Sequence, residues 1–218
     1  MLFLAGPGSV ELESSMLFAR VRHAAVLAAM ATLALSARPA LAAADGAFAI
    51  KGIGASDCSL AVREYTAGTP NAMMYGGWIY GYLTALNQLN PGTFDLAPWQ
   101  DLNTLTNFVV DYCKKNPKVT FADATFKMAV ALNPDRLTAR TAFVRFRQNG
   151  RDFTLYATTL ERMAAKLTSK GLLKTKYDSA KPAYTPDMVA AVKAFQQSRK
   201  LKATGDPDQQ TLFELLQR

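Results

Sequence analysis

The residue types that most often carry catalysis are scarce in this chain of 218 residues. Its single histidine, His23, lies within residues 1–42, which resemble an export signal, and its two cysteines are Cys58 and Cys113. Without a histidine in the mature chain there is no Ser-His-Asp triad, no Cys-His pair and no zinc site with histidine ligands. Two cysteines are too few for a four-cysteine metal site. We therefore predict no catalytic residue, no metal site and no cofactor.

Residues 1–42 predict a signal peptide that is removed on export. Met16, the possible true start, begins a basic stretch that is followed by an apolar run over residues 24–35 and by Ala40-Leu41-Ala42, a small-x-small cleavage pattern. The apolar run has about a dozen residues, whereas a helix that crosses a bilayer needs ~20. We expect cleavage after Ala42, no membrane span in the mature chain, and a location in the periplasm or cell envelope.

Export would place Cys58 and Cys113 in an oxidising compartment, where they are candidates for a disulfide. The bond would close a loop of about 55 residues and stabilise the fold by ~4 kcal/mol on the loop-entropy account. Two buried free thiols are the alternative.

Charge is unevenly distributed along the mature chain. Residues 43–133 carry a net charge of −1, residues 134–156 carry +3, and residues 157–218 carry +5. Such asymmetry indicates modules with different partners. We predict a mostly α fold in three parts: a disulfide-closed four-helix domain over 43–133, a β-hairpin connector over 134–156, and a three-helix domain over 157–218.

Four amphipathic segments predict the helices of residues 43–133. Their expected first residues or caps are Ser56, Pro70, Asp101 and Thr120. In the second helix Tyr75, Trp78 and Tyr82 recur at helical spacing, and this aromatic stripe is either core or a binding face for a protein partner. Three glycines inside the same helix suggest that another helix approaches closely: Gly76, Gly77 and Gly81.

Three elements of this region form a recognisable pattern: Cys58, the segment "WIYGYLTALN" over 78–87, and "YCKKNP" over 112–117. The pattern resembles that of HdeA-type acid-stress chaperones and of the related Tai-type immunity proteins, over about residues 57–132. Both are small helical domains with a disulfide. The resemblance implies a protein client or partner for this module.

A β-hairpin is predicted where "TAFVRFRQNGRDFTLY" alternates about Asn149-Gly150, a strong signal for a two-residue turn. With these residues as the turn, Arg147 faces Asp152 and Phe146 faces Phe153. An isolated hairpin is marginally stable, so we expect it to pack on a neighbouring module.

The last sixty residues contain three predicted helices, the second starting at Thr185-Pro186 and the third at Asp208. The segment "AVKAFQ" over 191–196, followed by Leu201, Thr204-Gly205, Asp208, Thr211 and Leu215, resembles the peptidoglycan-binding domain 1 family over about 156–216. The resemblance implies a three-helix fold that binds peptidoglycan. One departure is Lys200, which stands where the family has glycine before the leucine.

Peptidoglycan carries carboxylates in its peptides, and a domain of net charge +5 is attracted to them at modest salt. We predict Tyr184, Gln196, Gln197 and Arg199 as contact residues, although Gln196 could instead bond the backbone of the loop that follows its helix.

These patterns favour an exported, non-catalytic protein that binds peptidoglycan and presents its helical domain to a protein partner or client. One alternative is a cell-wall hydrolase or lytic transglycosylase, which would have to use Glu64, the single glutamate of residues 43–133. Another is a wall-tethered chaperone or toxin-immunity protein. A nucleic-acid partner is not expected, because no basic-aromatic motif occurs.

Overall fold

A computed structural model describes residues 47–217, and the chain from Ile50 onward forms one compact unit. The predicted signal peptide and the possible start at Met16 lie outside the described residues. Within residues 47–217, every helix is too short or too polar to cross a membrane.

The first half of the compact unit is helical, as predicted. A 3₁₀ turn at Gly52–Ala55 precedes four helices: α1 (Cys58–Ala67), α2 (Pro70–Leu89), α3 (Leu102–Lys115) and α4 (Phe121–Leu132), and a second 3₁₀ turn covers Asn133–Asp135. The caps predicted at Asp101 and Thr120 are confirmed, since their side chains accept from the backbone N–H groups of Thr104 and Asp123.

The cap predicted at Ser56 is wrong. Asp57 occupies the capping position of α1, and Ser56 Oγ instead lies 2.7 Å from the carbonyl of Ile53 and 2.8 Å from Tyr75 Oη. The side chain of Ser56 therefore joins the preceding 3₁₀ turn to α2, a tertiary role that local sequence does not indicate.

A disulfide between Cys58 and Cys113 confirms the predicted pairing. Both cysteines are fully buried, and the bond joins the first residue of α1 to the last turn of α3. Around them lies the first hydrophobic cluster, to which all four helices contribute; its largest buried members are Tyr75, Ile79, Leu96, Leu105, Phe121 and Leu132.

The glycines of α2 serve only partly for close packing. A Cβ at Gly76 would lie 3.0 Å from a methyl carbon of Leu102, at the start of α3, so this glycine does allow a close approach. A Cβ added at Gly77 or Gly81 would have no heavy atom of another element within 4 Å. The close helix approach expected at these two glycines is therefore wrong. Both are exposed instead.

The hairpin pairs β1 (Phe143–Gln148) with β2 (Arg151–Tyr156) in the predicted register, which includes the pairs Arg147 with Asp152 and Phe146 with Phe153. Asn149 and Gly150 form the turn, with φ of 48° and 75°. The hairpin packs on the C-terminal helices, since its apolar side chains belong to, or pack against, the second hydrophobic cluster: Val144, Phe146 and Leu155.

Three helices complete the chain: α5 (Ala157–Ser169), α6 (Pro186–Ser198) and α7 (Gln209–Leu212), the last continuing as a π-helical turn over Phe213–Gln217. The caps predicted at Thr185 and Asp208 are confirmed. The second cluster fills the space between these helices, and Trp99, from the segment before α3, is part of it. Its largest fully buried members are Leu160, Met163, Leu167, Met188, Phe195 and Leu212.

Candidate functional site

A buried glutamine organises the loop between α6 and α7. Gln196 is fully buried, and its Oε1 accepts from the N–H of Gly205 at 2.8 Å. Its Nε2 donates to the carbonyl of Asp206 at 3.0 Å and to Thr211 Oγ1 at 2.9 Å. The sequence left open whether Gln196 contacts peptidoglycan or bonds the loop backbone, and in the structure it bonds the loop backbone. These bonds fix the 202–206 loop against α6.

Tyr184 packs on the same loop. Its hydroxyl donates to the carbonyl of Gly205 at 2.6 Å, and its ring stacks on Phe146 with 4.6 Å between centroids. Burial, and secondarily the charges of Asp206 and Asp208, raise the pKa of Tyr184 well above its ordinary value. The hydroxyl is therefore protonated at neutral pH and keeps this bond.

The hairpin turn closes the loop from the other side. Asn149 Nδ2 donates to Asp206 Oδ1 at 2.7 Å and to the carbonyl of Thr204 at 2.9 Å. Arg151 pairs with Asp206 at 3.3 Å, and the Asp206 side chain is only 4% exposed. Because the hairpin bonds this loop directly, it is structurally continuous with the C-terminal helices.

An exposed cationic face of α6 borders the loop. Lys193 and Gln197, four residues apart, lie on one side of α6, and Lys200 follows two residues after the helix ends at Ser198; all three are exposed. A Cβ at Gly205 would lie 3.1 Å from Lys193 carbons, so the Lys193 stem packs over the loop. We call Lys193, Gln197 and Lys200 the α6 face.

Lys200 ends this face in a left-handed conformation, with φ of 58°. A side chain other than glycine is disfavoured there by about 1–2 kcal/mol. The departure noted in the sequence, lysine in place of glycine, thus falls on a position whose backbone favours glycine.

Arg199, the fourth predicted contact residue, forms an ion pair with Glu214. Its Nη2 lies 2.5 Å from Glu214 Oε2 and its Nε lies 3.1 Å from the same oxygen. The pair links the end of α6 to the C-terminal turn, while 42% of the Arg199 side chain stays exposed. Of the other three predicted residues, Gln197 is exposed, whereas Tyr184 and Gln196 bond the loop.

The predicted partner-binding stripe is divided between core and surface. Tyr75 is buried and packs edge-on against Phe121. Trp78 and Tyr82 are half-buried and stacked on each other, and Trp78 Nε1 donates to the carbonyl of Lys51. Contact with a partner through these residues stays a prediction, with Trp78 and Tyr82 the accessible part of the stripe.

Glu64 lies in an environment that favours its ionised form. Its Oε2 accepts from Thr69 Oγ1 at 2.5 Å and from Asn71 Nδ2 at 3.2 Å. The hydrogen bond from Thr69, followed by that from Asn71, lowers the pKa of Glu64. A glycosidic general acid needs its carboxyl pKa raised, so the shift has the wrong sign for that role.

Sequence reasoning missed Gln209, a residue that helps to join the two halves. Gln209, the first residue of α7, accepts from the N–H of Asp101 at 3.0 Å and from Thr104 Oγ1 at 2.8 Å, and it donates to the carbonyl of Trp99 at 2.7 Å. These partners lie more than a hundred positions earlier in the chain, and no local pattern in the sequence marks them.

The C-terminal helices thus form a small domain in which Gln196 of α6 holds the turn at Gly205. Residues 161–215 match the family model described as "Putative peptidoglycan binding domain". The chain therefore carries a C-terminal peptidoglycan-binding domain. Neither curated proteins nor solved structures gave a match. Within residues 47–217, no three His, Cys, Asp or Glu side chains are grouped to hold a metal ion.

Proposed function

We propose that this chain is an exported, non-catalytic protein that holds peptidoglycan through its C-terminal domain and presents its N-terminal helices to a protein partner or client. The family match over residues 161–215 carries the first part of the proposal. A disulfide is typical of exported proteins, which supports a location in the periplasm or cell envelope.

The α6 face is the surface we propose for peptidoglycan contact. Lys193 and Lys200 supply positive charge for the carboxylates of the wall peptides, and Gln197 supplies an amide between them. The loop beside this face is held by Gln196 and Tyr184, which we therefore assign to positioning. Rigid support of this kind reduces the entropy lost when a ligand binds.

Co-sedimentation of residues 43–218 with purified sacculi tests the proposal. This range includes the whole compact unit, whereas cutting before α5 would remove the hairpin that bonds the 202–206 loop. We expect binding to sacculi to weaken as salt rises. The variant K193Q/K200Q should give a bound fraction lower by about threefold or more, because it lacks two positive charges. The matched control is K114Q/K115Q, which removes two exposed lysines from α3. Failure of the wild-type chain to sediment would refute peptidoglycan binding.

Zymography on cell walls tests the absence of catalysis. We expect no clearing by the wild-type chain or by Glu64→Gln. Clearing by the wild type that disappears in Glu64→Gln would establish the hydrolase alternative, and clearing retained in that variant would indicate another catalytic group.

The N-terminal part of the proposal draws on α2. This helix contains no charged residue, yet it exposes large apolar side chains at Met73, Met74 and Tyr80. An exposed apolar face on a soluble module is typical of protein-binding surfaces. Together with the resemblance to acid-stress chaperones and immunity proteins, it supports a protein client or partner.

Client binding is tested by aggregation of an acid-denatured model protein, such as malate dehydrogenase, in the presence of residues 43–218. We expect light scattering to fall with the wild-type chain and to fall less with M73S/M74S. The matched control is T84S/Q88S, at two exposed polar positions of the same helix, α2. Equal suppression by M73S/M74S would exclude this face, and no suppression by any variant would reject the chaperone role.

A further inference from the structure

Three aromatic side chains pack together outside both hydrophobic clusters. Phe143 stacks on Tyr156 with 4.4 Å between ring centroids, and the ring of Phe94 lies steeply inclined to that of Tyr156 at 6.0 Å. None of the three is a member of either cluster. Phe143 is 54% exposed, so more than half of its surface is open to solvent. Exposed apolar groups of this kind are typical of interaction surfaces.

The stacked pair lies on the outer face of the hairpin. Alternate residues of β1 and β2 point away from the second hydrophobic cluster and are paired across the strands. The three outer pairs are Phe143 with Tyr156, Arg145 with Thr154, and Arg147 with Asp152. We call these six residues the hairpin face. The solvated face of an antiparallel sheet is ordinarily polar, so an exposed phenylalanine there is unusual.

Tyr156, on which Phe143 stacks, is held in position from below. Burial, followed by the charge of Asp95 and a hydrogen bond to its carboxylate, raises the pKa of Tyr156 to about 12. The hydroxyl is therefore protonated at neutral pH and keeps this bond. Asp95 is itself fixed, because its backbone pairs with that of Leu137. The aromatic surface is thus rigid before any ligand arrives, which reduces the entropy lost on binding.

Positive charge surrounds the stacked rings. Arg147 pairs with Asp152 at 3.5 Å, but none of the ion pairs formed within residues 47–217 involves Arg145 or Arg140. The guanidinium of Arg140 lies over the ring of Phe94, 5.8 Å from its centroid. The hairpin face and its border therefore offer guanidinium groups to an anionic ligand that also has a flat surface to stack on an aromatic ring.

The hairpin face is connected to the domain that matches the peptidoglycan-binding family. Asn149, in the hairpin turn, donates to the carbonyl of Thr204 in the loop that borders the α6 face. Phe143 lies at the opposite end of β1, whose six residues span ~20 Å. A ligand that contacts both the α6 face and Phe143 must therefore be an extended chain.

We propose that the hairpin face binds the glycan chain of peptidoglycan, with a sugar ring stacked on Phe143 and Arg145 paired with a carboxylate of an attached peptide. The negative face of an aromatic ring suits the polarised C–H groups of a sugar. This inference rests on the proposed function and extends it to a second surface, outside the family match over residues 161–215.

Titration of residues 43–218 with chitohexaose, a glycan that carries no peptide, tests the proposal by ¹H–¹⁵N NMR. We expect saturable shifts at the backbone amides of residues 143–147 and 154–156. Absence of shifts at these residues overturns the proposal. Single-stranded nucleic acid also combines rings with negative charge, so tighter binding of oligothymidylate at the same residues would assign the face to nucleic acid instead.

The variant Phe143→Thr removes the ring and keeps a residue that favours strands. We expect its affinity for chitohexaose to fall about fivefold, through loss of the aromatic contact. The matched control is Phe126→Thr, at an exposed phenylalanine of α4, which should keep full affinity. Thermal unfolding of both variants verifies that they are folded. Full affinity in Phe143→Thr would contradict the proposed stacking.

The variant Arg145→Gln tests the contact with peptide carboxylates. Because one exposed ion pair is lost, we expect the fraction bound to sacculi to fall about twofold. Arg63→Gln, at an exposed arginine of α1, is the control and should bind as the wild type does. Equal binding by Arg145→Gln and Arg63→Gln would contradict the role of Arg145.

Failure of this inference is distinguishable from failure of the proposed function. Full sacculus binding in Phe143→Thr and Arg145→Gln, while K193Q/K200Q binds less, rejects the hairpin face alone. Losses in the hairpin variants with full binding in K193Q/K200Q reject the α6 face and support the hairpin face. Failure of the wild-type chain to sediment refutes peptidoglycan binding and this inference with it.

Discussion

In the first hydrophobic cluster a covalent bond joins α1 to α3, whereas in the second a buried amide joins a helix to a loop. The Cys58–Cys113 disulfide lies among large aromatic and aliphatic side chains. The second cluster has no cysteine, and Gln196 provides the bonds that fix its loop. The disulfide stabilises the fold mainly by restricting the unfolded chain. Gln196 stabilises the folded state by forming hydrogen bonds to buried backbone groups.

The comparison shows that the 202–206 loop is held by hydrogen bonds, whereas the N-terminal helices are held by a covalent cross-link. Each cluster has its own fluorescent reporter, since Trp78 packs against the first cluster and Trp99 belongs to the second. The variant Trp99→Phe therefore reports on the first region, and Trp78→Phe reports on the second. Unfolding of these two variants in urea shows which region a further substitution affects.

The largest effect is expected from removal of the disulfide. The variant C58A/C113A should lose about 4 kcal/mol of unfolding free energy, because its unfolded chain regains the freedom of a long loop. Urea unfolding followed through Trp78 measures the loss, and the shift should be larger there than through Trp99. Adding reductant to the wild type should reproduce the effect and should leave C58A/C113A unchanged. Equal shifts at both reporters would show that the two regions unfold as one.

Gln196→Leu should have the next largest effect, a loss of about 3 kcal/mol, since the N–H of Gly205 and the carbonyl of Asp206 would remain buried without this partner. The transition seen by Trp99 should move more than that seen by Trp78. Gln197→Leu, at the exposed neighbour, is the control and should change the free energy by less than about 0.5 kcal/mol. Similar losses in the two variants would contradict a special role for Gln196.

Gly205→Ala should cost about 2 kcal/mol. The residue has φ of 76°, and the added Cβ would lie 2.8 Å from Val189 Cγ1, so an unfavourable backbone conformation adds to a collision. Gly150→Ala, in the hairpin turn, has a similar φ but open space around its Cβ, and should cost about 1 kcal/mol. Thermal unfolding of both variants isolates the free-energy cost of the collision with Val189. Equal losses of stability in the two variants would show that Val189 moves aside without cost.

Lys200→Gly should give the smallest change, a gain of about 0.5 kcal/mol. Glycine removes the strain of a lysine in the left-handed conformation, which stabilises the folded variant. The greater conformational freedom of glycine in the unfolded chain offsets part of that gain. Lys202→Gly removes the same charge at a position without positive φ and should be destabilising instead. A loss of stability in Lys200→Gly would mean that the Lys200 side chain makes compensating contacts.

Much of the local structure could be predicted because it depends on neighbouring residues. The caps at Asp101, Thr120, Thr185 and Asp208 and the hairpin register about Asn149-Gly150 follow from patterns only a few residues long. The expectation for Gly77 and Gly81 was wrong because it required knowing which face of α2 meets another helix.

The candidate site could be predicted less completely. The sequence identified the segment of the peptidoglycan-binding domain and its glycine turn. It gave both Gln196 and Gln197 as contact residues and left open a bond from Gln196 to the loop backbone, whereas the structure buries Gln196 and exposes the adjacent Gln197. Neighbouring helical residues point about 100° apart, so only the packing of the helix decides which one is accessible.

The sequence by itself determined the helices, four of their caps, the hairpin and the family of the C-terminal domain, since short-range patterns and turn chemistry specify each of them. Only the tertiary structure decided that Asn149 would bond Asp206 and that Gln209 would bond the segment at Trp99, across 57 and 110 positions of chain. Such contacts depend on how the helices pack, because a polar side chain bonds whichever partner the folded core places within about 3 Å of it.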